Sequence, residues 1–386
     1  MKKVLFLFIV LSIILFLILG RGSAEAPTTL NPILHKVSQY SDRHITQNAT
    51  AKNEQFSQIA FAPVAHSQNP FESQMASVYR SLRNIFSSGN KNEMKEYGTW
   101  VWTPTLYLSD SYSDSILSNA KKEGINVVYL SVDSYLDIYV LPEGPNKVAR
   151  KKEFSERLEN FIKKANQLGI AVDAEAGWRN WAEPGHTYKP LAVVEYILDF
   201  NATHQSKFRG FQYDVEPYLL DSYKKNPETI FKNFLTLVDA TNEYLEGSSL
   251  AISVVIPDFY DERDQTVPKI EYAGKKLSVF KHLASILEGR AGSSIIIMSY
   301  RNAAEGRGGS IDISQNEFKT LRRGFYSTKL IVAQETGEVS PRSLTFYGMP
   351  KKYFSSEITK LNTAFASHPN FSGLAIHYAN AFLELK

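Results

Sequence analysis

From about Tyr97 onward, short β-branched or aromatic runs alternate with stretches whose apolar positions recur every three to four residues. The first kind reads as strand and the second as amphipathic helix, because side chains repeat every two residues along a strand and every 3.6 along a helix. Strands are predicted over residues 99–102, 126–132, 170–175, 210–216, 250–256, 294–300, 330–335 and 373–378. Helices are predicted between them, over 113–122, 154–168, 192–204, 229–245, 277–287, 315–323 and 353–366. Such strict alternation implies parallel strands joined by helical crossovers. Eight of them predict a closed (β/α)8 TIM barrel over residues 96–386, with a doubly wound open sheet as the alternative.

The first quarter of the chain has a different pattern. Lys2 and Lys3 precede an apolar run from Val4 to Leu19, and the small residues Gly20, Gly22, Ser23 and Ala24 follow it. This order predicts, over residues 1–24, either a cleaved secretory signal or an uncleaved membrane anchor, and in both cases an exported protein. Residues 25–95 are rich in Ser, Asn, Gln and Ala without a sustained period, which reads as a low-complexity linker. Within it, helical spacing of Phe71, Met75, Val78, Tyr79, Leu82 and Phe86 predicts one short helix.

Composition narrows the chemistry. The 386 residues contain no cysteine, which excludes disulfides, thiolate metal sites and cysteine nucleophiles. Net charge is +3, and residues 1–95 hold ten basic against five acidic side chains, so the barrel region is close to neutral. A nucleic-acid partner is therefore not expected. Nor is a metal or cofactor: the eight histidines lack the H-x-H or H-E-x-x-H spacing of a metal site.

In a parallel barrel the chemistry sits at the carboxyl ends of the strands. The third predicted strand ends with Asp173 and Glu175, followed by Trp178 and Trp181, and the fourth with Gln212, Asp214 and Glu216, followed by Pro217 and Tyr218. If Phe211, Tyr213 and Val215 face the helices, then Gln212, Asp214 and Glu216 face the barrel mouth. Two carboxylates in one confined mouth repel each other and push a pKa upward, which suits a general acid. Other strand ends add Asp258, Tyr300, Arg301, Glu335, His377 and Tyr378, and all four tryptophans, Trp100, Trp102, Trp178 and Trp181, fall near the ends of strands one and three. Such rings stack on the apolar faces of sugars. Arg301 is open to two readings: it holds a substrate anion, or it pairs with Asp214 or Asp258.

The run from Arg209 to Glu216 resembles the D-G-x-D-x-D-x-E signature of family 18 glycoside hydrolases, the chitinase-like barrels, and Met298-Ser299-Tyr300 resembles that family's M-x-Y. The resemblance implies Glu216 as general acid, Asp214 as its orienting carboxylate, Tyr300 as a donor to the substrate, and substrate-assisted hydrolysis. Arg209 and Gln212 stand where the signature has aspartates. Val215-Glu216-Pro217 together with Glu335 also resembles the acid/base and nucleophile positions of the retaining β-glycosidase clan, which implies Glu335 as nucleophile. Substrate contacts are then expected from Trp100, Trp102, Asp173, Glu175, Trp178, Tyr218, Asp258, Arg301 and His377. Three functions follow: a monomeric, exported hydrolase of a polysaccharide or cell-wall glycan, a carbohydrate-binding barrel without turnover, and a metal-dependent hydrolase using Asp173, Glu175, Asp214 and His377.

Overall fold

The computed structural model describes residues 95–261 and 267–386. The expected signal or anchor, linker and short helix of the first 94 residues lie outside the described part. Among the described residues no helix is long and apolar enough to cross a membrane.

Eight parallel strands close into a barrel: β1 (Glu96–Val101), β2 (Val127–Ser131), β3 (Ala171–Ala176), β4 (Gly210–Tyr213), β5 (Ala251–Pro257), β8 (Ser294–Met298), β9 (Lys329–Glu335) and β10 (Phe371–His377). Neighbours in space follow chain order, and β1 pairs with both β2 and β10 to complete the ring. The crossovers carry α1 (Asp110–Lys122), α3 (Pro145–Gln167), α4 (Tyr188–Thr203), α5 (Pro227–Tyr244), α6 (Val279–Ile286), α7 (Ser310–Arg323) and α8 (Lys351–Phe365), with short helices α2 (Tyr135–Tyr139) and α9 (Ala379–Leu383) after β2 and β10. The open-sheet alternative is thereby removed.

Period-two alternation divides the core as expected. Phe211, Tyr213 and Val215 join Val128, Leu130, Ile252, Val254, Ile295 and Val332 in the layer against the helices. Facing inward, Trp100, Val127, Tyr129, Val255, Ile296, Ile331, Ala333 and Ala375 form a second cluster that fills the barrel. That plug excludes water and sets the depth of anything above it.

Three features were not anticipated. Helix α3 begins at Pro145, well before Phe154, because its first turns are polar and the proline at its first position starts the helix without an apolar signal. Between β5 and α6 an antiparallel hairpin forms from β6 (Ile270–Tyr272) and β7 (Lys275–Leu277), turning through Ala273 and Gly274, both at positive φ. An alanine at positive φ is an uncommon turn residue, so the pair gave no usable turn signal.

The third concerns Asp173. It lies near the amino end of β3, where Arg209 donates to its two carboxyl oxygens at 2.9 and 2.5 Å and to Glu96 Oε2 at 2.8 Å. Tyr129 adds a hydroxyl donor to Glu96, its ring filling the space that the missing side chain of Gly98 leaves. Asp173 therefore braces the barrel floor and does not reach the mouth, a correction that follows from strand depth. Arg209→Met is expected to destabilise the fold by about 1–3 kcal/mol, below the roughly 3–5 of a fully buried pair because solvent reaches the guanidinium. Denaturant unfolding checks this, and pairing it with Asp173→Asn should recover part of the loss.

Candidate active site

The mouth is organised around the exit of β4. Hydrogen bonding to β3 continues one residue past the strand, with Asp214 N–H donating to Ala176 O at 3.2 Å. Alternation persists to Glu216, so Asp214 and Glu216 share the inner face. Gly177 makes this approach possible, since a Cβ there would stand 2.1 Å from the Asp214 carbonyl oxygen.

Both carboxyls are shifted as two acids in one enclosed site should be. Loss of water pushes Asp214 up to about 7, the charge on Glu216 adds to it, and His377 opposes it. Glu216 is likewise raised by desolvation, against the Tyr218 hydroxyl that donates to its Oε1 and the nearby His377 and Arg179. Tyr218 is itself held edge-on by Phe259, with ring centres 5.1 Å apart. The ion pair with Arg179, Arg301 or a lysine that could have made these carboxylates purely structural is not formed: among the described residues no salt bridge to Asp214 or Glu216 is found.

Across the mouth a second assembly links three strands. Trp102 Nε1–H donates to His377 Nε2 at 3.1 Å, and His377 Nδ1 lies 2.7 Å from Glu335 Oε2. The indole has only a donor, so when the imidazole is uncharged this network puts its proton on Nδ1, donating to Glu335. Glu335 Oε1 accepts the Gly337 N–H at 2.6 Å, which engages both of its oxygens. Tyr300 stacks on His377 at 6.0 Å, and its hydroxyl is pushed well up by burial and by the charges of Glu335, Asp214 and Glu216. One phenol thus feels the charges of both halves of the site.

The remaining candidates divide by depth. Trp178, 44% exposed, stands at the rim, whereas Trp100 is 1% exposed and gives its indole N–H to Gln212 Oε1 at 2.6 Å. Trp100 belongs to the plug beneath the mouth, so it offers no face to a ligand, contrary to expectation. Trp181 is wholly buried against Tyr213. Glu175 is also 1% exposed, below Asp214 and out of direct reach of a bound molecule. Arg301 lies 3.5 Å from Asp258, the second of its two readings, and donates to Tyr300 O at 2.6 Å. Among the described residues no group of three or more His, Asp or Glu is arranged to hold a metal ion. The set named for a metal-dependent hydrolase is split, with Asp173 tied to Arg209 at the floor.

One residue was missed. Asp133 follows β2, its carboxyl faced by the Gly177 backbone and the Trp178 indole, and it is pushed up to about 8, chiefly by desolvation and then by Asp214 and Asp137. It continues the inward series Val127, Tyr129, Ser131, so extending strand two's alternation by two residues would have found it.

No family model matches the chain, and no curated protein matches it either. Among solved structures, an endo-1,4-β-D-mannanase from Thermotoga petrophila RKU-1 is similar at 13% identity over 74% of this chain and 88% of that one, with a TM-score of 0.47. The spore cortex-lytic enzyme SleL of Bacillus megaterium QM B1551 is similar at 12% identity over 76% and 74%, with a TM-score of 0.44. A tryptophan synthase from M. tuberculosis is similar at 12% identity over 79% and 94%, with a TM-score of 0.37. At such identities the likeness says nothing of the reaction.

Proposed function

We propose that this chain is an exported glycoside hydrolase that cleaves a polysaccharide or cell-wall glycan, with Glu216 as general acid. The observation that carries this reading is the Asp214–Glu216 pair: two carboxyls on one inner face of the barrel mouth, both raised by desolvation. A carboxyl that keeps its proton above the usual range can deliver it to a leaving glycosidic oxygen near neutral pH. Burial holds the proton on Glu216, and Asp214 beside it is raised by the same loss of water and by the charge of Glu216. Glu335, with both oxygens accepting N–H donors, is a fixed negative charge on the far side and suits stabilisation of positive charge at the anomeric carbon. Tyr300, stacked on His377, feels the charges of both sides, and Trp102, Tyr218 and Trp178 supply the aromatic wall and rim. Export rests on the pattern of residues 1–24, and the barrel is read as a monomer.

A panel of neutral, acetylated and acidic glycans, assayed for new reducing ends across pH, tests this. Hydrolysis is expected on at least one class, with a bell-shaped profile. The active form of Glu216 is protonated, so activity falls as pH rises through its pKa, and a raised pKa moves that fall above the ordinary carboxylate value of about 4.3. The two limbs belong to the coupled pair and not to single residues. An alkaline limb at the ordinary value would remove Glu216 from the role, and binding without cleavage anywhere in the panel would favour a carbohydrate-binding barrel.

A further inference from the structure

Beneath Asp214 the site contains carboxyls that its general-acid chemistry does not use. Strand pairing sets Glu175 directly beside Gln212, one inward position below Asp214. The carboxyl that the strand-four motif lacks at Gln212 is thus supplied from the adjacent strand. Gln212 itself is committed elsewhere, accepting from Trp100 and donating to Ser253 Oγ at 3.4 Å. Glu175 Oε2, Asp214 Oδ1 and Asp133 Oδ1 are all shut off from solvent and have no hydrogen-bond partner. Three neighbouring carboxyls with three orphaned oxygens cannot all be ionised without a cation, and an orphaned buried acceptor is costly. A proton kept on one of them eases both difficulties, because a carboxylic acid donates where a carboxylate only accepts.

We propose that Glu175 is a positioning residue that stays protonated and donates its O–H to Asp214, fixing the carboxylate beside the general acid. This rests on the hydrolase reading for its catalytic meaning, though not for the proton itself. The groups facing the cluster agree. Glu175 is pushed well above the usual range by burial and then by Asp133 and Asp214, with only the Ser131 hydroxyl opposing. Asp133 faces Asp137, Asp214, the Gly177 backbone and the Trp178 indole, and Asp214 faces Glu216, His377 and the phenols of Tyr218, Tyr260 and Tyr300. No cationic group opposes the rise at Glu175, whereas His377 opposes it at Asp214. The proton stays within the O–H···O contact, and no other bond is made or broken. When Glu216 gives its proton to the leaving oxygen, the pocket gains one negative charge, and a neutral Glu175 keeps that charge from meeting a third carboxylate below.

Carboxyl 13C NMR of the full chain, labelled at Asp and Glu and assigned with Glu175→Gln, reads the protonation state directly. Glu175 is expected to remain protonated through pH 7. In activity, Glu175→Gln keeps a donor and should cost only about threefold with the acid limb unmoved. Glu175→Leu removes the donor to ionised Asp214, so it should cost about tenfold or more and move the acid limb upward. An ionised Glu175 at pH 6, or a Gln variant that shifts the profile as far as the Leu variant, would overturn the proposal. If no glycan is cleaved the hydrolase reading fails, yet the NMR titration of the unaltered protein still decides the state of Glu175.

Discussion

Glu216→Gln is expected to lower kcat by about 10²–10⁴-fold, the usual contribution of a positioned general acid, while oligosaccharide affinity stays within about threefold. The amide preserves size and still accepts the Tyr218 hydroxyl, so the wall of the mouth is undisturbed. What it lacks is a proton that can leave. Isothermal titration with an uncleaved oligosaccharide beside single-turnover kinetics separates the two quantities. A variant that loses affinity and turnover in equal measure would make Glu216 a binding residue. One that keeps a tenth or more of its activity would mean that the proton comes from another group, with Asp214 the first to examine.

The second large effect comes from a methyl group at the join of two strands. In Gly177→Ala the new Cβ would stand 2.1 Å from the Asp214 carbonyl oxygen and 2.8 Å from its amide nitrogen, and neither backbone atom can move without carrying the Asp214 side chain with it. Overpacking of this kind costs about 1–3 kcal/mol, occasionally more. A displacement of about 1 Å at a reacting group can cost roughly 100-fold in rate. Gly177→Ala should therefore fold, melt earlier and turn over at about one hundredth of the parent rate. Calorimetry and steady-state kinetics check both parts. Parental turnover in a stable variant would show that β3 and β4 are free to separate here, against the tight approach described above.

Much of the barrel was legible because its signal is local. Each strand announces itself by alternation and each helix by its apolar stripe, and eight repeats of that pairing leave few alternatives. Facing was legible too: the inward series Gln212, Asp214, Glu216 needed only period two. Depth was not. Trp100 and Asp173 both face inward as expected, yet they sit below the mouth, because depth depends on where each strand starts against its neighbours. Strand β1 begins at Glu96 and not at Thr99, which lowers Trp100 into the plug. Nor could a linear reading find the Trp102–His377–Glu335 chain of hydrogen bonds. It joins the first strand to the last two, residues 275 positions apart in the case of Trp102 and His377, and exists only once the barrel has closed.

Strand polarity fixes one more relation. Chain direction carries residue 95 into β1 at the same end of the barrel where Arg209 braces Glu96 and Asp173, so the described chain enters the barrel on the floor side. The mouth opens at the opposite pole. Anything that holds the barrel by its floor therefore leaves the acids of the mouth facing away from the point of attachment.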